Sequence, residues 1–150
     1  MAKSDLLLLD SGVLLLWEIG RIDAGLIPSF KRTRRFAAEH YQYLEGRYRE
    51  ARFVITAPTA TETVNLLGNR FDWIDRTAKE FDGFEEKSVS VRHALRDEAI
   101  KWLGFSDCHC LQVASRDQIE LITADARLHA ESLRRGQACT NLFHAVKFNL

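Results

Sequence analysis

The chain has 150 residues, with 21 basic and 21 acidic side chains and a formal net charge of +0. This length is typical of one domain with a substantial core, so we expect residues 1–150 to form a single domain. The balanced charge excludes the strongly basic field of many nucleic-acid-binding proteins. Any nucleic acid must therefore be bound by a local basic patch or through metal ions.

The cysteine count and the N-terminal apolar runs predict a cytoplasmic protein. Three cysteines provide no disulfide framework and fit a reducing compartment. The leucine-rich N-terminal stretch is interrupted by Asp10-Ser11-Gly12, and no small-residue cleavage site follows it. Neither apolar run is long enough to span a membrane, so we expect no membrane partner.

Strand-like and helix-like segments alternate along the chain. Strands are predicted at 5–9, 53–56, 86–91, 119–123 and 138–143. After a first helix that ends near Gly20 and a connecting loop over 21–33, helices are predicted at 34–49, 58–67, 71–81, 92–103, 106–116 and 125–135. This alternation predicts a three-layer α/β/α fold with a mostly parallel five-stranded sheet.

Four acidic residues stand at joints between the predicted elements: Asp10, Glu62, Asp107 and Asp125. Parallel sheets bind ligands at the carboxyl ends of their strands, and the element order puts these residues near that edge. Clustered carboxylates repel one another unless a cation neutralises them. Oxygen ligands without cysteine or histidine favour Mg²⁺ or Mn²⁺ over zinc.

Each acid also has a purely structural interpretation, which is the better one when the residue is taken alone. Asp10 and Asp125 precede helices and could be N-caps. Asp107 could complement a helix dipole. Thr59 and Glu62 match the spacing of a capping box. The metal-site hypothesis therefore depends on all four acids meeting.

The segments around these acids resemble, in chain order, the four acidic motifs of the PIN domain. The segments are Leu7-Leu8-Leu9-Asp10-Ser11, Thr61-Glu62-Thr63-Val64-Asn65-Leu66-Leu67, Phe105-Ser106-Asp107 with Ala114, and Leu121-Ile122-Thr123-Ala124-Asp125. The resemblance spans nearly the whole chain. It implies a sheet of order 3-2-1-4-5 and metal-dependent nuclease activity, most often on RNA. It also implies a possible role as the toxin of a toxin–antitoxin pair, with an antitoxin protein as partner.

The leading hypothesis is therefore a Mg²⁺- or Mn²⁺-dependent endoribonuclease in which the four acids are both metal ligands and catalytic residues. The cation would activate water for attack on the phosphorus. The basic run around Lys31, Arg32 and Arg34, together with Arg127, provides candidates for binding substrate phosphate. This run is predicted at the start of a helix, where cations oppose the dipole.

Two positions depart from the PIN pattern and motivate an alternative, a PIN-like module that binds RNA or protein without catalysis. The family commonly carries Asn or Ser two residues after the first Asp, where this chain has Gly12. The fourth motif often has an acid where this chain has Ala124. A phosphohydrolase of the haloacid-dehalogenase type is disfavoured, because it needs an aspartate at position 12.

Two further groups of residues are predicted to be structural. Cys108-His109-Cys110 has the wrong spacing for a zinc site and is expected to pack in the core. Trp17, Trp73 and Trp102 lie in apolar helices and are expected in the core or in a homodimer interface.

Overall fold

The computed structural model describes residues 5–68 and 70–146, where short strands alternate with helices as predicted. The strands are β1 (Leu6–Leu9), β2 (Arg52–Ile55), β3 (Glu85–Glu86), β4 (Glu120–Thr123) and β5 (Cys139–Asn141). The helices are α1 (Ser11–Asp23), α2 (Ala38–Glu50), α3 (Ala57–Leu67), α4 (Phe71–Phe81), α5 (Val91–Leu95), α6 (Ile100–Leu103), α7 (Phe105–Asp117), α8 (Ala126–Arg134) and α9 (Leu142–Ala145). Asn69, predicted to help end α3, lies outside the described residues.

The strands form a parallel five-stranded sheet of order β3-β2-β1-β4-β5, with β1 at its centre. On one side of β1, Leu7 is paired with Phe53 of β2, and on the other side Leu8 is paired with Leu121 of β4. The direction in which the chain adds strands reverses between β1 and β4, and ligands bind at such a point in parallel sheets. The predicted three-layer fold and the strand order 3-2-1-4-5 are both confirmed.

The leucine run of β1 is buried because helices cover both faces of the sheet. Alternate side chains of a strand point to opposite faces. Leu7 and Leu9 pack in one apolar cluster with Trp17 of α1, whereas Leu8 packs in a second cluster with Leu111 of α7. Strands with helices on both faces need continuous apolar sequences, which explains why the run lacks the alternation of a half-exposed strand.

Helix α1 continues past Gly20, where the sequence predicts its end. A Cβ atom on Gly20 would overlap the ring of Tyr41 in α2. The ring of Tyr41 in turn lies 5.7 Å from that of Trp17, between ring centroids. The prediction is wrong because this glycine serves close helix packing instead of a turn, and a helix tolerates glycine at a modest cost.

The continuous helix predicted over 92–103 is two short helices, α5 and α6, separated by residues 96–99. In the break, Asp97 accepts a hydrogen bond of 2.8 Å from the backbone N–H of Ala99. The guanidinium of Arg135 donates two more to Asp97, at 2.6 and 2.7 Å. A buried carboxylate needs such donors, and these tertiary contacts favour the break over a continuous helix.

Both outer strands are shorter than predicted. The segment 86–91 contributes only the end of β3, which has two residues. The segment 138–143 contributes the three residues of β5, after which Asn141 caps α9 by accepting a hydrogen bond of 2.9 Å from the N–H of Phe143. Asparagine is a favoured N-cap, so a helix replaces the end of the predicted strand.

The residues predicted to be structural are mostly buried. Cys108 and Cys110 are buried in α7, as are Trp17 and Trp73 in their helices. Trp102 differs: it is 46% exposed on α6 and does not lie in the core. In the part of the chain that the structure describes, every helix is too short or too polar to cross a membrane.

Candidate functional site

Asp10 lies on the floor of a cleft at the carboxyl edge of the sheet, directly after β1. It is 5% exposed, and its N–H donates a hydrogen bond of 3.2 Å to the carbonyl of Ile122 in β4. Its Oδ1 accepts a hydrogen bond of 2.9 Å from the N–H of Val13, so Asp10 is the N-cap of α1. The structural interpretation of Asp10 is therefore correct, and it leaves the carboxylate held at the reversal point of the sheet.

Thr123, the last residue of β4, connects Asp10 to Asp125. Its hydroxyl donates a hydrogen bond to Oδ2 of Asp10 and accepts one of 2.9 Å from the N–H of Asp125. Asp125 caps α8: its Oδ1 accepts hydrogen bonds from the N–H groups of Arg127 at 2.7 Å and Leu128 at 3.1 Å. Thr123 was not predicted as a site residue. The feature that could have indicated it is its hydroxyl group at the carboxyl end of a buried strand.

Asp107 and Glu62 complete the set of four acids from the opposite side. Asp107 lies in the first turn of α7 and is partly buried. Glu62 is exposed on α3, where its Oε1 accepts a hydrogen bond of 2.6 Å from the hydroxyl of Ser106. The capping box predicted for Glu62 is wrong, because the box of α3 is formed by Thr56 and Thr59.

All four predicted acids line one cleft of about 710 Å³. Basic side chains line the same cleft: Lys31, Arg32 and Arg35. The apolar part of its wall is formed by Leu15, Leu66, Leu103 and Phe105. The sequence hypothesis required the four acids to meet, and the fold brings them to one cleft from four separate elements.

The crowding of the acids is visible in the electrostatics of Asp107. Burial raises the pKa of Asp107 to about 7, and the negative charges of Asp10, Asp125 and Glu62 add to this rise. The positive charge of Arg127 opposes it. Burial also raises the pKa of Asp10, although hydrogen bonds from Thr123 and from backbone N–H groups oppose the rise.

The basic run lies before α2 and not in it, and the arginine of the run that reaches the cleft is not the predicted one. Helix α2 begins at Ala38, so residues 31–35 lie in turns before it and do not oppose its dipole. Arg34, predicted to bind phosphate, does not line the cleft, whereas Arg35 does. Arg127 is also outside the lining, although its charge acts on Asp107. Arg35 was missed because a turn, unlike a helix, gives no periodic indication of which side chains share a face.

The chemistry of the four acids fits a hard divalent cation, since such cations prefer carboxylate oxygens. Asp107 accepts no hydrogen bond from any described residue, which leaves both of its oxygens for a ligand. Within residues 5–68 and 70–146, however, no group of three or more His, Cys, Asp or Glu side chains is placed so that it could hold a metal ion. Metal binding would therefore require these side chains to move together.

Comparison with solved structures supports the fold. The crystal structure of PAE2754 from Pyrobaculum aerophilum is similar, with a TM-score of 0.54 and 20% sequence identity over 87% of this chain and 86% of that chain. At this identity the similarity concerns the fold alone. No protein-family model and no curated protein matches the sequence.

Proposed function

We propose that this chain is a Mg²⁺- or Mn²⁺-dependent endoribonuclease of the PIN-domain type. The observation that supports this proposal is the meeting of four carboxylates and three basic side chains in one cleft at the reversal point of the sheet. Four carboxylates in one cleft repel one another and oppose folding. Such an arrangement is typical of a functional site, and a divalent cation would relieve the repulsion.

Each acid has a distinct place in the proposed site. Asp10 is buried and held by two protein donors, so it would be the fixed ligand on the floor. Asp107 would be the ligand that still has both oxygens free, and Asp125 and Glu62 would complete the set from the exposed rim. A bound divalent cation supplies the positive charge that activates water and stabilises the charge developing on the phosphate.

The basic side chains give the cleft a second role, the attraction of a polyanion. Lys31 and Arg32 are exposed at the cleft and would contact the RNA backbone. Such phosphate contacts position a nucleic acid without reading its sequence. RNA as the substrate and an antitoxin protein as partner follow from the resemblance to PIN-domain toxins and are part of this proposal. A homodimer, which the Phe and Trp content allows, and a cytoplasmic location are also part of it.

The test compares wild type with Asp10→Asn in cleavage of a labelled single-stranded RNA in the presence of Mn²⁺ or Mg²⁺. Asparagine caps helices as well as aspartate does, so the variant should fold. We expect its cleavage rate to fall about 100-fold, which corresponds to roughly 3 kcal/mol of lost transition-state stabilisation. Asp75→Asn, an exposed position on α4, is the control and should cleave like wild type. Equal cleavage by Asp10→Asn, or cleavage that persists in EDTA, would refute the proposal.

The second candidate is a PIN-like module that binds RNA or protein without catalysis. Two observations favour it: the side chains as placed do not form a coordination sphere, and Gly12 and Ala124 lack the side chains common in the family. It predicts RNA binding that is indifferent to divalent metal. Stoichiometric Mn²⁺ binding in calorimetry that is lost in Asp107→Asn would exclude it.

A further inference from the structure

The guanidinium of Arg35 lies close to the place that a side chain at position 12 would take. A Cβ atom on Gly12 would be 3.0 Å from Nη2 of Arg35 and 3.8 Å from Oδ1 of Asp10. The first distance is tighter than an ordinary contact, so a Cβ at position 12 would require Nη2 of Arg35 to shift by a few tenths of an ångström. The guanidinium and the buried carboxylate therefore face the same small gap above the first turn of α1.

The backbone does not explain why position 12 is glycine. Among the described glycines, a positive φ angle occurs at Gly68, Gly104 and Gly136, whereas Gly12 lies in the first turn of α1. Inside a helix, alanine is more favourable than glycine. The close approach of Arg35 is the feature of the structure that favours the absence of a side chain at position 12.

Two aromatic rings also contact the guanidinium. Its Cζ atom lies 4.8 Å from the ring centroid of Phe36 and 5.7 Å from that of Phe143. The two rings stack on each other, with centroids 5.2 Å apart and an interplanar angle of 11°. Contacts between a cation and ring faces are attractive, so Arg35 is held in place without using its N–H donors.

Those donors remain available at the cleft. No hydrogen bond and no ion pair with another described residue engages the Arg35 guanidinium. An arginine carries five N–H donors in a planar fork that matches a phosphate group. Lys31 and Arg32 line the same cleft, but only Arg35 combines a site beside Asp10 with an aromatic support.

We propose that Arg35 binds a phosphate group of the RNA substrate next to the four carboxylates, and that Gly12 provides the space for it. This inference rests on the proposed ribonuclease function. The acids repel a phosphate, and a fixed guanidinium at the edge of the acid cluster offsets this repulsion with two parallel hydrogen bonds. In this interpretation the chain lacks the usual side chain at position 12 because Arg35 lies close to that position.

A purely structural role is the competing interpretation, in which Arg35 only balances the charge of the acids. That role would require a loss of stability when the charge is removed. It would not require weaker RNA binding by a folded variant. Removal of the Arg35 charge should therefore lower RNA affinity if Arg35 binds phosphate, and should lower only the stability if its role is structural.

The experiment measures binding of a fluorescein-labelled single-stranded RNA oligonucleotide by anisotropy, in EDTA and at several salt concentrations, with thermal unfolding of each variant alongside. We expect Arg35→Gln to weaken binding about 10-fold and to lower the slope of log K against log salt by about 0.7. Arg35→Lys should restore little of this affinity, since lysine lacks the planar fork. Arg49→Gln, which removes an exposed arginine where α2 leads into the amino end of β2, should change affinity less than about 2-fold.

Gly12→Ala tests the role of the gap. Its Cβ would crowd Nη2 of Arg35 and shift it by a few tenths of an ångström, so we expect RNA affinity to fall, but by less than in Arg35→Gln. The thermal midpoint should not fall, because alanine favours the helix. Unchanged affinity in Gly12→Ala would overturn the role of the gap. Equal affinities of Arg35→Gln and Arg49→Gln would overturn the role of Arg35, as would a lower thermal midpoint of Arg35→Gln with unchanged affinity.

The outcomes separate this inference from the ribonuclease proposal. RNA binding that depends on Arg35 without any metal-dependent cleavage would refute the nuclease function and retain the phosphate site. Metal-dependent cleavage by wild type with normal RNA binding in Arg35→Gln would refute the phosphate site and retain the nuclease function. No measurable RNA binding by wild type in EDTA would overturn the phosphate site.

Discussion

Glu18 is a buried carboxylic acid in the middle of α1, away from the cleft. It is 1% exposed, and its Oε1 has no hydrogen-bond partner among the described residues. Burial raises the pKa of Glu18 to about 8; the negative charge of Glu80 adds to the rise, and Arg21 opposes it. We therefore expect Glu18→Gln, which cannot ionise, to be more stable than wild type at neutral pH.

The size and sign of this effect follow from the two titrations of Glu18. In the unfolded chain the carboxyl group loses its proton near its ordinary value of 4.5, and in the folded protein near 8. Between these pH values the folded state binds a proton that the unfolded state has lost, so the free energy of unfolding falls by about 1.4 kcal/mol per pH unit. The loss amounts to about 3 kcal/mol at pH 7 and stops growing above pH 8.

The assay is urea unfolding of wild type and Glu18→Gln, followed by circular dichroism between pH 5 and pH 8. We expect the advantage of the variant in free energy of unfolding to grow from about 1 kcal/mol at pH 5 to about 3 kcal/mol at pH 7. Glu50→Gln, at an exposed position of α2, is the control and should stay within about 0.5 kcal/mol of wild type at every pH. An advantage of the same size at pH 5 and pH 7 would show that burial does not keep Glu18 protonated.

Two further predictions concern packing and the metal site. Gly20→Ala should lower the free energy of unfolding by about 1–2 kcal/mol, because overlap with Tyr41 outweighs the gain in helix propensity. At Gly46 no atom lies within 4 Å of the new Cβ, so Gly46→Ala should raise the free energy of unfolding by about 0.5–1 kcal/mol. Urea unfolding checks both, and equal effects at the two glycines would contradict the packing argument. Thr123→Val should weaken Mn²⁺ binding in calorimetry about 10- to 100-fold, since it removes the hydroxyl shared by Asp10 and Asp125. Thr123→Ser should keep most of the affinity, and wild-type affinity in Thr123→Val would contradict this role.

Local patterns predicted the elements whose boundaries are set locally. The leucine run gave β1 within one residue, and the prediction for α4 matches its observed bounds. Predictions failed where a distant side chain decides the backbone. Gly20 stays inside α1 because Tyr41 packs against it, and the break at Asp97 depends on Arg135, 38 positions further along the chain.

The same distinction applies to the candidate site. Three of the four acids could be predicted from their positions, because Asp10, Asp107 and Asp125 lie at the starts of helices that face the carboxyl edge of the sheet. Glu62 lies in the second turn of α3, and the resemblance to the second PIN motif was its only signal. Thr123 could not be predicted as their link, because its partner Asp10 is 113 positions away. Arg35 could not be chosen over Arg34 because the two differ only in how a turn directs their side chains.

The short outer strands limit how the sheet can associate with other chains. An unpaired strand edge is a template for further strands, and long edges promote aggregation or swapping between copies. Here β3 offers two residues and β5 three, and both residues of β3 are glutamates. A continuous sheet across two copies would gain few ladder hydrogen bonds and would oppose like charges at β3. A second copy of the chain would therefore be bound more favourably through helix surfaces than through a sheet continued across both copies.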